Sequence, residues 1–171
     1  PGTVYLPERL ACVLRRLDVA TRTVSTLAGR RGERGECSFV DGPLASAEFD
    51  GLGPVAVVGP RRLAIGDGGR LREVDLAAEM VRTVAGNEPY GPVDGFGTAA
   101  GFGYFHALDV DGAGHLLVSD DSALRDVDLA TAEVRTVGGT LGSKGTEEGT
   151  GAFARLDRPG GVACLGPDRR F

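Results

Sequence analysis

The stretch LDVATRTVSTLAG, residues 17–29, returns as VDLAAEMVRTVAG at 74–86 and as VDLATAEVRTVGG at 127–139. Its aspartates, Asp18, Asp75 and Asp128, lie 57 and 53 residues apart, and the closing glycines Gly29, Gly86 and Gly139 keep those spacings. Downstream, Phe49, Phe102 and Phe153 follow at 53 and 51, so the period covers the loops as well as the phrase. A period of this length, carried by supersecondary units, decides the architecture before any single motif does.

Each period reads as four short strands. In the third, HALDV (106–110) is extended and apolar, DGAG (111–114) is a hairpin turn, and HLLVS (115–119) is a second strand. LRDV (124–127) and EVRTV (133–137) follow across two further turns. The second period repeats the plan with PVAVV (54–58), RLAIG (62–66), LREV (71–74) and MVRTV (80–84). The 28 glycines recur at matching places between these runs, as tight turns require. A helical reading fails, because no 3.6-residue period is sustained and glycine interrupts every stretch. An α/β reading lacks its crossover helices.

Four-stranded units of about 50 residues in tandem predict an all-β fold, a segment of β-propeller. The chain here resembles the NHL-repeat propellers, whose blades run "GVAVD-x-x-G-x-LYVAD … IRKVDLATG-x-V-x-TLAG". GPVAVVGPRRLAIGD … LREVDLAAEMVRTVAG and HALDVDGAGHLLVSD … LRDVDLATAEVRTVGG carry the likeness, with VDGPLASAEF, VDGFGTAAGF and EEGTGAF between blades. One departure is clear: the family's Asn-His pair before the third strand is replaced by Gly68-Gly69 and Ser122-Ala123.

The predicted units are blade one at 2–29 without its first strand, blade two at 54–86 and blade three at 106–139. A first strand of a next blade follows at 160–166, and linkers run over 30–53, 87–105 and 140–159. Three blades cannot close around a channel, because propellers close with four to eight.

Chemistry is sparse in this pattern. The G-x-G-x-x-A runs at 95–100 and 149–154 follow polar loops rather than a buried strand, so they read as turns and not as a phosphate cradle. Asp109 to Asp120 lacks an oxygen ligand at Ala113, so the hairpin reading displaces a calcium loop. The acids Glu8, Asp67 and Asp120 and the bases Arg15, Arg72 and Arg125 obey the repeat, which marks them as scaffold pairs. His106 and His115 lie in one blade and form no cluster with a nucleophile. Of the three cysteines, Cys12 and Cys164 read as buried small hydrophobes and Cys37 as the reactive one.

Net charge is −5 over 171 residues, with +4 on residues 1–35 and −9 on the rest. That acidic remainder disfavours nucleic acid. No apolar run reaches the length of a membrane span, and no cofactor motif survives inspection. The expectation is a non-catalytic interaction scaffold or accessory subunit of a larger assembly. The alternative is a piece of a lyase- or lactonase-type propeller whose catalytic residues lie elsewhere. Partners are expected on the linker face, through Arg30, Arg31, Arg34, Glu88, Tyr90, Lys144 and Glu147, and at the open blade edges, covered by another protein or a second copy.

Overall fold

The repeated phrase folds the same way three times in the computed structural model, which describes residues 2–30, 36–87 and 91–165. In each copy the aspartate side chain accepts backbone N–H groups just ahead of it: Thr21 for Asp18, Ala77 and Ala78 for Asp75, Ala130 and Thr131 for Asp128. These are Asx turns, in which a short carboxylate replaces a backbone acceptor. Four residues after each aspartate the chain passes through the left-handed region, at Arg22 (φ 57°), Glu79 (φ 56°) and Ala132 (φ 60°). An outer strand follows, and it ends at Gly29, Gly86 or Gly139 (φ 88°, 90° and 82°).

The strands make three antiparallel sheets. The first holds β1 (Thr3–Glu8), β2 (Val13–Asp18) and β3 (Thr23–Ala28) in that order. In chain order, the second sheet is built from β4 (Gly42–Pro43), β5 (Leu52–Gly59), β6 (Arg62–Asp67), β7 (Arg70–Asp75) and β8 (Met80–Ala85). Its spatial order is β5-β6-β7-β8-β4. The third sheet is built from β9 (Gly95–Phe96), β10 (Phe105–Val110), β11 (His115–Asp120), β12 (Ala123–Asp128) and β13 (Glu133–Gly139). It repeats the plan as β10-β11-β12-β13-β9. The fold is therefore an all-β, open, propeller-like array. Among the described residues, 160–165 pair with no strand, and Gly166 lies outside them.

Apolar cover lies between sheets, as it must when both faces are packed. Leu14, Ala28, Phe49, Leu52, Leu63, Ile65, Val74 and Val81 join the first sheet to the second. Leu71, Ala85, Phe102, Phe105, Leu116, Val118, Val127 and Val134 join the second to the third. The linkers supply the plugs: Phe49 and Phe102 are fully buried.

The closing glycine has two reasons to be glycine. A Cβ at Gly86 would stand 2.3 Å from the Gly69 carbonyl oxygen and 3.1 Å from the Phe102 ring. Gly29 meets Cys12 O and Phe49 in the same way, and Gly139 meets Ser122 O and Leu156. Gly86→Ala is therefore expected to destabilise by about 2 kcal/mol or more, backbone strain adding to the clash. Arg22→Gly, at an exposed left-handed turn, is expected to stabilise by up to about 1 kcal/mol. Urea unfolding of the two variants checks both signs.

Candidate functional site

A buried arginine organises each complete sheet. Arg72 donates through Nη1 to Asp67 Oδ2 at 2.6 Å and to the Glu48 carbonyl at 3.3 Å. Its Nη2 donates to the Val40 carbonyl at 3.1 Å and to Asp41 Oδ1 at 2.7 Å. Asp67 Oδ1 accepts the N–H groups of Asp50 and Gly51, and Asp41 accepts the N–H and hydroxyl of Thr83. Arg125 repeats every contact with Asp120, Gly101 O, Val93 O and Asp94. Asp120 accepts from Gly103 and Tyr104, and Asp94 from Thr136. Both guanidiniums and both inner carboxylates are wholly buried. Burial pushes the Asp67 and Asp120 carboxyls up, against the pull of the arginines and the N–H donors. These side chains are thus spent on holding a linker to its blade and are not free for a ligand.

The first sheet has only half of this node. Arg15 meets Glu8 at 3.3 Å and Thr26 at 2.5 Å, and its side chain is one-third exposed.

The linker after the third sheet corrects one alignment. The Arg155 N–H donates to the Glu147 carbonyl, as Glu48 does to Val40 and Gly101 to Val93. Leu156 then packs on Gly139 where Phe49 and Phe102 pack on Gly29 and Gly86. Phe153 is therefore not the third plug: it is 85% exposed, three residues too early, on the 3₁₀ turn Gly151–Phe153.

Cysteine supplies a second correction. Cys12 and Cys37 form a disulfide, with Cα atoms 5.7 Å apart, and Cys164 is the free thiol. Cys37 is thus not the reactive cysteine, and Cys12, although buried, is covalently committed. The bridge ties the linker after the first sheet to the corner between β1 and β2.

That corner is where the repeat breaks. Five residues separate Asp67 from Arg72 and Asp120 from Arg125, but seven separate Glu8 from Arg15. The two extra residues lengthen the corner into a three-residue 3₁₀ turn, Arg9–Ala11, closed by Cys12 in the left-handed region (φ 57°). Arg9 thereby reaches Tyr104, which enters the third sheet: its Nη1 contacts the phenol oxygen, and the guanidinium lies 5.2 Å from the ring centroid. Between them opens a cleft of about 300 Å³, bounded by Arg9, Asp50–Gly53, Gly68 and Gly103–Phe105. All three sheets contribute. Asp50 and Gly51 correspond to Gly103 and Tyr104, because each pair donates N–H groups to the same carboxylate of the node. Arg9 and Tyr104 are therefore departures from the repeat, and they meet at one cleft beside Asp50, whose place is taken by Gly103 in the next linker and by Asp157 in the last.

Of the residues expected on the linker face, the described ones, Arg30, Lys144 and Glu147, each have a local partner. Arg30 pairs with Glu48 at 2.5 Å. Lys144 pairs with Asp121 at 2.9 Å, and the Glu147 carboxylate accepts the Thr146 N–H. Arg31, Arg34, Glu88 and Tyr90 lie outside the described residues. His115 pairs with Asp126 at 2.9 Å, a hydrogen bond that raises its pKa. Among the described residues no group of three or more His, Cys, Asp or Glu could hold a metal ion, and no helix is long and apolar enough to cross a membrane.

No family model and no curated protein matches the chain. Solved structures do. A structural genomics protein of unknown function from Bacteroides thetaiotaomicron VPI-5482 superposes with a TM-score of 0.72 at 17% identity, over 95% of this chain and 39% of that one. An auxiliary nutrient binding protein from Bacteroides ovatus ATCC 8483 gives 0.65 at 18%, over 95% and 40%. Another from Bacteroides thetaiotaomicron VPI-5482 gives 0.62 at 16%, over 94% and 39%. The chain spans about two fifths of their length, and the likeness is one of fold.

Arg72→Met leaves Asp67 buried without its guanidinium, and about 3–5 kcal/mol of stability is expected to go with it. Arg15→Met, at the exposed half-node, is expected to cost about 1 kcal/mol or less. Reducing the Cys12–Cys37 bridge is expected to remove about 3 kcal/mol, since it closes a 25-residue separation. Denaturant midpoints with and without dithiothreitol test all three.

Proposed function

We propose that this chain is a non-catalytic accessory binding module. Its interblade loops hold a small polar ligand, and its blade edges engage a protein partner. The observation that carries the ligand reading is the cleft at the blade corners. Scaffold residues obey the repeat, whereas Arg9 and Tyr104 break it and meet in one place, beside Asp50.

The chemistry fits a monosaccharide-sized ligand. A volume of about 300 Å³ lies at the small end of ligand sites. Tyr104 is 45% exposed and offers a ring edge and a hydroxyl. Arg9 touches that hydroxyl with one nitrogen, and a guanidinium has five N–H donors in all. Leu52 and Phe105 supply an apolar floor. The two neighbours named as auxiliary nutrient binding proteins are consistent with such a role, and so is the likeness of the repeat to NHL blades, a fold that serves many non-catalytic binders.

Calorimetric titration with neutral sugars, sugar acids and amino acids tests the reading. At least one class is expected to bind, with affinity falling tenfold or more in Arg9→Ala and Tyr104→Ala while the unfolding midpoint holds. Binding that ignores both substitutions would remove the cleft from the account. Turnover of a substrate by the purified chain, lost on a single side-chain change, would overturn the non-catalytic part.

A further inference from the structure

A second cavity, of about 330 Å³, opens between the first and second sheets. It lies by the turns that join β5 to β6 and β7 to β8, at the opposite end of the second sheet from Gly68 and the cleft. Tyr5 and Arg16 line it from the first sheet, Arg61, Leu76 and Glu79 from the second, and Leu44 from the linker. Hydrogen bonds and register fix what these residues correspond to one gap further on. The Leu76 N–H donates to the Arg61 carbonyl as the Leu129 N–H donates to that of Gly114. The Leu44 N–H donates to the Glu79 carbonyl as the Gly97 N–H donates to that of Ala132. Tyr5 pairs with Arg16 where the second sheet pairs Ala64 with Glu73. All four polar side chains of this cavity, Tyr5, Arg16, Arg61 and Glu79, are therefore departures from the repeat, in a fold whose scaffold obeys it.

Arg16 reverses a charge that the other two sheets keep. Glu73 is bridged by Arg62 at 3.4 Å and Arg82 at 2.9 Å. Its counterpart Asp126 is bridged by His115 at 2.9 Å and Arg135 at 2.7 Å. In the first sheet the central residue is a base, and Tyr5 and Ser25 stand across the strands from it. Arg16 shares a face of β2 with Leu14, which packs toward the second sheet. Among the described residues, no carboxylate lies within ion-pair distance of Arg16 or Arg61. Arg61 is nevertheless held in place, because its Nη2 donates to the Leu76 carbonyl at 2.8 Å. One guanidinium from each sheet thus lines a shared hollow, with Glu79 as the single acid in its wall.

We propose that this cavity binds the oxyanion group, phosphate or carboxylate, of a small organic ligand. Guanidinium donors match the oxygens of either group, and two arginines against one glutamate leave the lining with an excess of positive charge. The Tyr5 hydroxyl and the Glu79 carboxylate can hydrogen-bond hydroxyls on the rest of the ligand. Leu44 and Leu76 give it an apolar wall, in a volume suited to a molecule of monosaccharide size. The site is separate from the cleft at Arg9, and neither reading depends on the other.

Calorimetric titration of the intact chain with inorganic phosphate, glucose 6-phosphate, glucuronate and glucose tests the site. At least one of the three anions is expected to bind, more weakly as sodium chloride is raised. The tighter of glucose 6-phosphate and glucuronate identifies the group that is recognised. Affinity for that anion should fall at least tenfold in Arg16→Gln and in Arg61→Gln. It should be lost in Arg16→Glu, which restores the acid of the other sheets, while the urea midpoint of each variant holds. Arg9→Ala should leave this binding unchanged, and any response to glucose should be indifferent to Arg16→Gln. Anion binding that follows Arg9 and ignores Arg16 and Arg61 would overturn the second site and leave the cleft standing. Failure of all three anions to bind at about 10 mM would overturn it too.

Discussion

A guanidinium that is fully buried has to find an acceptor for nearly every donor, and here the acceptors come from two different places in the chain. Arg72 and Arg125 each take one carboxylate from their own sheet and one from the preceding linker, with two linker carbonyls besides. That division fixes where a linker of irregular sequence must lie. Desolvation limits the net stability such a pair adds; what the arrangement secures is register. The placement of the linker that meets the Nη1 and Nη2 donors of the arginine also delivers Phe49 or Phe102 to the gap between sheets.

Much of this was legible in the sequence because repetition turns weak local signals into strong ones. A single Asp-x-x-x-x before a strand says little, but three at matched spacing marked the turns, the outer strands and the terminating glycines; that the turns are Asx turns came from the structure. The arginines and acids were legible as scaffold for the same reason. Phe153 misled because the third linker is cut differently: aligning on the nearest aromatic put the plug three residues early. The Arg155–Glu147 hydrogen bond and the approach of Leu156 to Gly139 show that Leu156 holds the place. The disulfide was hidden by an odd cysteine count and by a separation of 25 residues that resembles no local motif.

The cleft was missed for a more instructive reason. Its residues belong to three different sheets, and none stands in a recognisable pattern. The available signal was subtraction: once the register is known, Arg9 and Tyr104 stand among the positions where the copies disagree, and only the fold shows that they meet. A repeat protein keeps its fold in what its units share, so the chemistry it adds has to sit where they differ.

The Cys12–Cys37 bridge joins two of these themes. Cys12 ends the inserted turn that carries Arg9, and Cys37 lies in the linker that leads to Asp50. One covalent bond thus restrains two walls of the cleft, and such bonds persist only where thiols are kept oxidised. The shape of the cleft is consequently tied to the chemical surroundings of the chain. In an oxidising space the insertion is tied to the linker covalently; under reducing conditions that tie is gone and the turn is held by its non-covalent contacts, Arg9 on Tyr104 among them.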